Sequence, residues 1–142
     1  MKTSLPKTSD IQRAWHLVDA SGKPLGRLAV KVANLLRGRN KAIFTPHIDT
    51  GDFVIVINAK DVKLTGSKDQ KKVYARYSGY RSGHKVTTVK TMRERHPERI
   101  IQKAVEGMLP DNKMSRVIAK RLKVYANGHH PHASQTPAPI KL

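Results

Sequence analysis

Cysteine is absent from this chain of 142 residues. Its absence excludes disulfides, thiolate metal sites and thiol nucleophiles, and it fits a reducing compartment. Aromatic residues are scarce, with one Trp, four Tyr and two Phe, which disfavours a row of stacking platforms for single-stranded nucleic acid. Long apolar runs are missing as well. The longest aliphatic stretch, Phe53-Val54-Ile55-Val56-Ile57, falls far short of the roughly 20 residues that cross a bilayer. The segment from Met1 to Asp10 has no apolar stretch behind its lysines, unlike a secretory signal. Neither a lipid signal nor an amphipathic helix with large apolar anchors is evident, so membrane attachment is not expected. A cytoplasmic, soluble protein is the expectation.

The scarcest feature for a chain of this size is negative charge. Ten Asp and Glu stand against 28 Lys and Arg, a formal charge of +18, and no acid occurs between residues 112 and 142. Like charge at this density opposes compaction, whereas phosphate contacts with release of counterions reverse the sign of that energy. A charge run is ordinarily a solvated face. Here basic groups recur over residues 27 to 41, 60 to 76, 81 to 103 and 113 to 123 without balancing acids, so a polyanion partner is the first reading. The few aromatics favour contacts to phosphate and to the shape of folded RNA or a duplex. Composition does not separate RNA from DNA.

What is present reads as one domain, residues 1–142, near the usual domain size. Residues 1–13 are polar and expected as an extended arm. Trp15 to Asp19 reads as a short strand, followed by the turn-rich Ala20-Ser21-Gly22-Lys23-Pro24. Leu25, Leu28, Ala29, Val32, Leu35 and Leu36 recur at helical spacing, and Gly38 stands where a glycine ends a helix. Phe53 to Ile57, apolar throughout, suits a strand covered on both faces of a parallel sheet. Strand, helix and strand over residues 15 to 57 form a βαβ unit. Further strands are expected around Val62-Lys63-Leu64, over Val73 to Tyr77 (half-exposed) and at Val124-Tyr125, with a glycine- and charge-rich loop from Ser78 to Lys85. Helices are expected from Thr87 to Arg95, after Pro97, and after a cap at Asp111 or Asn112. The tail over residues 127–142, with its prolines and histidines, is expected to be irregular.

Several short constellations admit both a chemical and a plainer reading. Asp49-Thr50-Gly51 matches the aspartic-protease triplet, but that chemistry needs two such carboxylates at the ends of apolar strands, and here one triplet precedes its strand; a turn is the better reading. Gly22-Lys23-Pro24-Leu25-Gly26-Arg27 opens a helix after a strand, a place where phosphate is bound. It matches neither the P-loop nor the dinucleotide glycine pattern, leaving an RNA phosphate assisted by Lys23 and Arg27, or a plain turn. His129, His130 and His132, and His47 with Asp49 and Asp52, could hold a metal; packing, turn and capping roles are the ordinary alternatives. A DNA-binding nucleoid-type protein and a nucleotide-dependent enzyme using the first βα loop are the rival functional classes.

The run Asp19-Ala20-Ser21-Gly22-Lys23-Pro24-Leu25-Gly26-Arg27-Leu28-Ala29 resembles the start of the large-subunit ribosomal protein thirteen family. So do Thr45-Pro46-His47-Ile48-Asp49-Thr50-Gly51-Asp52, Asn58-Ala59-Lys60, Thr65-Gly66, Pro97-Glu98-Arg99, Ala104 to Pro110 and Leu122 to Ala126. His130-Pro131-His132 with Gln135 is similar to that family's tail. One loop departs: the family commonly reads Arg-His-Ser-Gly-Tyr-Pro-Gly-Gly where this chain has Arg76-Tyr77-Ser78-Gly79-Tyr80-Arg81-Ser82-Gly83. The resemblance implies an α/β fold with a small, mainly parallel four-stranded sheet flanked by helices in three layers (α/β/α). It implies a structural, non-enzymatic constituent of the large ribosomal subunit that binds large-subunit rRNA early in assembly, with other ribosomal proteins as neighbours. No metal, cofactor, small-molecule substrate or homo-oligomer is expected.

Candidate rRNA contacts are Lys23 and Arg27 at the first βα loop, Arg37, Arg39 and Lys41 beyond the first helix, and His47. Lys68, Lys71, Lys72 and Arg76 are expected along the exposed strand. Ser78, Gly79, Tyr80, Arg81, Gly83 and Lys85 belong to the following loop. Arg116, Lys120, Arg121 and Lys123 form a third region.

Overall fold

The computed structural model describes residues 5–140; residues 1–4 of the expected arm and the last two residues of the tail lie outside the described residues. β1 (Trp15–Asp19) and β2 (Phe53–Ile57) lie side by side in parallel, Trp15 opposite Phe53 through Asp19 opposite Ile57. Parallel neighbours need a crossover, and α1 (Leu25–Arg37) supplies it, burying Leu25, Leu28, Ala29, Val32, Ala33 and Leu36. That is the apolar stripe expected from the spacing. Gly38 closes the helix in the left-handed region (φ 74°), its N–H donating to the carbonyls of Asn34 and Leu35. A side chain there would also meet Thr50, whose Oγ1 lies 2.6 Å from where a Cβ would sit.

The chain continues through α2 (Lys68–Lys71), β3 (Val73–Tyr77), β4 (His84–Thr88), α3 (Val89–Arg95), α4 (Glu98–Glu106), α5 (Lys113–Ala119), β5 (Leu122–Val124) and β6 (Ala138–Ile140). The main sheet has the order β5-β2-β1-β6, with every pairing parallel. This is the small α/β fold with a four-stranded sheet and flanking helices. Val18, Val54, Val56, Leu122 and Val124 form one buried cluster with the apolar stripes of α1 and α4, and those two helices pack on each other. On the other face Trp15 stacks on Phe53 with ring centres 4.3 Å apart, and His132 of the tail lies 5.3 Å from Trp15. At that point the outer layer is the tail.

Several boundaries and partners differ from expectation. The tail is not wholly irregular: after a 3-10 turn at Ala133–Gln135 it adds β6 along β1, His16 opposite Ala138 through Val18 opposite Ile140. Its prolines hid the strand from sequence reading, yet an edge strand tolerates proline because one row of amides needs no partner. Val62 to Leu64 is no strand but a single bridge from Lys63 to Pro24. Val73 to Tyr77 leaves the main sheet and pairs antiparallel with β4. The loop is therefore residues 78 to 83, and α3 begins at Val89 with the Thr88 hydroxyl accepting from the Thr91 N–H. The last body strand starts at Leu122, two residues before the expected Val124. The arm, expected as extended, contains a 3-10 turn at Thr8–Asp10.

Candidate nucleic-acid interface

The fold takes one acid, Asp52, fully inside and half-buries Asp49 beside it, while most of the other acids stay exposed. The chain between α1 and β2 folds back tightly: a Cβ on Gly51 would sit 1.7 Å from the Leu36 carbonyl oxygen, so only glycine allows the approach. This brings the buried Asp52 carboxylate to Lys41 Nζ at 2.5 Å, His16 Nε2 at 3.1 Å and the Ala14 N–H at 2.9 Å. Burial pushes the Asp52 carboxyl up, but the Lys41, Ala14 and His16 contacts outweigh it and hold the group below the ordinary carboxylate range. Asp49 next to it pairs with Arg121 and, at 3.9 Å, with Arg13. Arg121 also donates to the Gly51 carbonyl at 2.8 Å and lies 5.8 Å from the Phe53 ring centre. Burial, with Arg13 nearby, lowers its pKa from the ordinary guanidinium value. The Asp49-Thr50-Gly51 triplet is thus a charge-paired turn leading into β2.

Two expected surface cations are therefore internal. Lys41 is held by Asp52 and by the Gln12 carbonyl at 2.8 Å, and Arg121 is only 7% exposed. Sequence reading missed this because the acids that draw them inward lie 11 and 72 residues away along the chain. Lys123 is half-buried in β5, and Arg37 and Lys23 are half-buried, whereas Arg27, Arg39, His47, Arg116 and Lys120 are exposed. Lys68 and Lys71 stand exposed on α2, a single turn of helix rather than the expected strand.

The hairpin of β3 and β4 treats charge in the opposite way. Arg76 and Lys85 face each other directly across the ribbon, an arrangement of like charges that destabilises a free sheet. Neither is in an ion pair among the described residues. The other face carries Val73, Ala75, Tyr77 and Val86, with Val73 and Val86 each about half exposed. A two-stranded ribbon open on both faces is marginal by itself. Its anchor is Tyr74, half-buried against the core, with Lys72 Nζ 5.4 Å and Lys103 Nζ 5.0 Å from the ring centre. Burial raises the Tyr74 phenol above its ordinary pKa, so it stays neutral.

At the tip, Ser78, Gly79, Tyr80 and Arg81 are exposed, Tyr80 by 80%. Gly83 is buried instead: its N–H donates to the Tyr80 carbonyl at 2.9 Å, and a Cβ would lie 2.2 Å from Ser78 Oγ. Ser82 is left-handed at φ 62°. This is the position where the family pattern carries glycine, so serine here holds a conformation that costs about 1 kcal/mol.

Of the tail histidines, His130 and His132 serve packing, while His129 is exposed. His132 Nε2 meets the Tyr125 hydroxyl at 2.8 Å, and the His132 N–H donates to His130 Nδ1 at 3.2 Å. Among the described residues no three ligating side chains are grouped as a metal site, and no helix is long and apolar enough to cross a membrane.

Comparison with known proteins places this arrangement. The family model described as Ribosomal protein L13 matches residues 13–131, from β1 to past β5. The large ribosomal subunit protein uL13 of Dictyoglomus thermophilum is 53% identical over 142 residues, 100% of each chain. The protein of the same name from Synechococcus sp. (strain WH7803) is 53% identical over 141 residues, 99% of this chain and 94% of that one. The one from Symbiobacterium thermophilum is 50% identical over 141 residues, 99% of each. With β1, β2 and β5 of the main sheet, the five helices and the cationic hairpin inside the matched span, the chain belongs to the ribosomal protein L13 family.

Proposed function

We propose that the chain is a structural, non-enzymatic constituent of the large ribosomal subunit, binding large-subunit rRNA through phosphate contacts spread over several faces. The observation that carries this reading is the segregation of charge. Asp49 and Asp52 are turned into the body against Lys41, Arg121, Arg13 and His16. Arg76, Arg81, Lys85, Arg116 and Lys120 stay outside without an acid partner among the described residues. Desolvated acid–base pairs hold the fold, and the remaining cations need a polyanion. That the relatives are named as large ribosomal subunit proteins supports rRNA as that polyanion. An early place in assembly follows from the spread of these cations: contacts on several faces form most readily while rRNA is still open around the protein. The remaining candidates from the sequence, Arg39 and His47 beyond α1 and Lys71 beside the hairpin, belong to the same distributed surface.

Titrating salt from about 0.05 to about 0.5 M with large-subunit rRNA and with random duplex DNA tests the reading, because purely electrostatic binding collapses over that span. Saturable rRNA binding should persist after DNA binding has vanished. Loss of both in parallel would leave a generic polyanion binder.

A further inference from the structure

Six cations from two separate stretches of sequence line two neighbouring grooves at the N-terminal half of α1. A groove of about 310 Å³ on one side is lined by Lys63, Lys68 and Lys72 along with Leu25 and Gly26. A second of about 270 Å³ is lined by Lys23, Arg27 and Lys31. The bridge between Pro24 and Lys63 joins them: the Leu25 N–H donates to the Lys63 carbonyl and the Lys63 N–H to the Lys23 carbonyl, both at 2.9 Å. None of the six is in an ion pair among the described residues. Asp69, the acid beside Lys68, is instead held by Arg93 at 3.1 Å. Lys23 assists in keeping Asp19 ionised, but that carboxylate is satisfied first by the Ser21 N–H and the Asn58 side chain.

Gly26 adds a second, independent sign. It is helical and exposed, and a Cβ built on it meets nothing within 4 Å. Glycine inside a helix costs up to about 1 kcal/mol relative to alanine, and neither backbone angle nor packing in the fold requires it. A ligand backbone lying directly on the bare turn would give it a reason.

We propose that this notch seats the sugar–phosphate backbone of one rRNA strand passing around the first turn of α1. Lys31 and Lys63 thereby join Lys23, Arg27, Lys68 and Lys72 in one continuous phosphate-binding surface. The inference rests on the rRNA-binding reading above and gives it a location. Cations at this density neutralise successive phosphates of a strand, and the smooth turn at Gly26 lets the strand approach without a side chain between them.

The test uses the full chain, large-subunit rRNA and a duplex DNA control, with two variants. Lys31→Ala/Lys63→Ala should lower rRNA affinity about tenfold and flatten the salt dependence by roughly 1.5 units of slope, since each lost phosphate contact removes about 0.7 to 0.9. Gly26→Gln should bind rRNA about tenfold more weakly while melting at the same or a higher temperature, because glutamine is the better helix former. Wild-type affinity and slope in both variants, with the unaltered chain still binding rRNA saturably, would overturn the notch and leave the wider reading standing. If the unaltered chain does not prefer rRNA to duplex DNA, that wider reading fails, and the notch as an rRNA site fails with it.

Discussion

The segment from Gly38 to Asp52 and the hairpin from Val73 to Thr88 both connect core elements, and both carry charged side chains. In the first, Asp52 and Asp49 gather Lys41, His16, Arg13 and Arg121 into an internal network. In the second, Arg76 faces Lys85 with no acid partner among the described residues, and the ribbon is anchored to the core mainly through Tyr74. The first segment is complete within the chain. The hairpin leaves its charges unpaired within the chain, among the described residues. In this molecule a basic residue's role follows from whether an acid reaches it, and basic residues close in sequence, such as Lys120 and Arg121, take opposite roles.

The contrast is broken most severely at Asp52. Asp52→Asn removes the charge that holds Lys41 and leaves a partly desolvated ammonium, which should cost about 3 kcal/mol and lower the melting temperature by roughly 10 °C. Because the folded Asp52 carboxyl is held below its ordinary value, its contribution is complete above about pH 4 and is lost as pH falls through the depressed folded value. The variant's stability should therefore vary less with pH below about 4 than that of the unaltered chain. Thermal melts between about pH 2.5 and 7 read both effects, and an unchanged acid limb would remove Asp52 from the network that supports the fold.

A smaller effect is expected at the hairpin tip. Ser82→Gly relieves the left-handed serine and should stabilise the hairpin by about 0.4 to 1 kcal/mol, offset in part by the entropy glycine adds to the unfolded chain. Hydrogen exchange of the β3 and β4 amides should slow accordingly while that of β1 and β2 does not change. Faster exchange in the variant would mean that serine at φ 62° is held by contacts outweighing its strain.

The smallest change in stability should come from Arg76→Thr. It relieves repulsion from Lys85 and places a β-branched residue in a strand, a gain of a few tenths of a kcal/mol in the free protein. The same substitution should weaken rRNA binding and reduce the salt slope by roughly one counterion. Denaturant midpoints and salt titrations measure the two separately. A loss of stability together with unchanged binding would reverse the roles assigned to the two regions.

Much of the body was legible in the sequence because its signals are local. The period of α1, its closing glycine, the uniformly apolar β2 and the Asn112 cap of α5 each sit within a few residues of the structure they specify. So did the excess of positive charge, which already pointed to a polyanion. Partnership was not legible, because it is decided between residues distant in sequence. Whether Lys41 and Arg121 face RNA or the core depends on where Asp52 and Asp49 come to rest. Whether Ala138 to Ile140 is tail or strand depends on β1 presenting a free edge, and whether Val73 to Tyr77 joins the main sheet depends on β4 claiming it first. Sequence alone determined the α/β class, four of the five helices and the excess of positive charge, since these follow from side-chain periodicity and composition. Tertiary structure decided which cations are left for a polyanion, since an ion pair is set by the distance between two groups and by their burial.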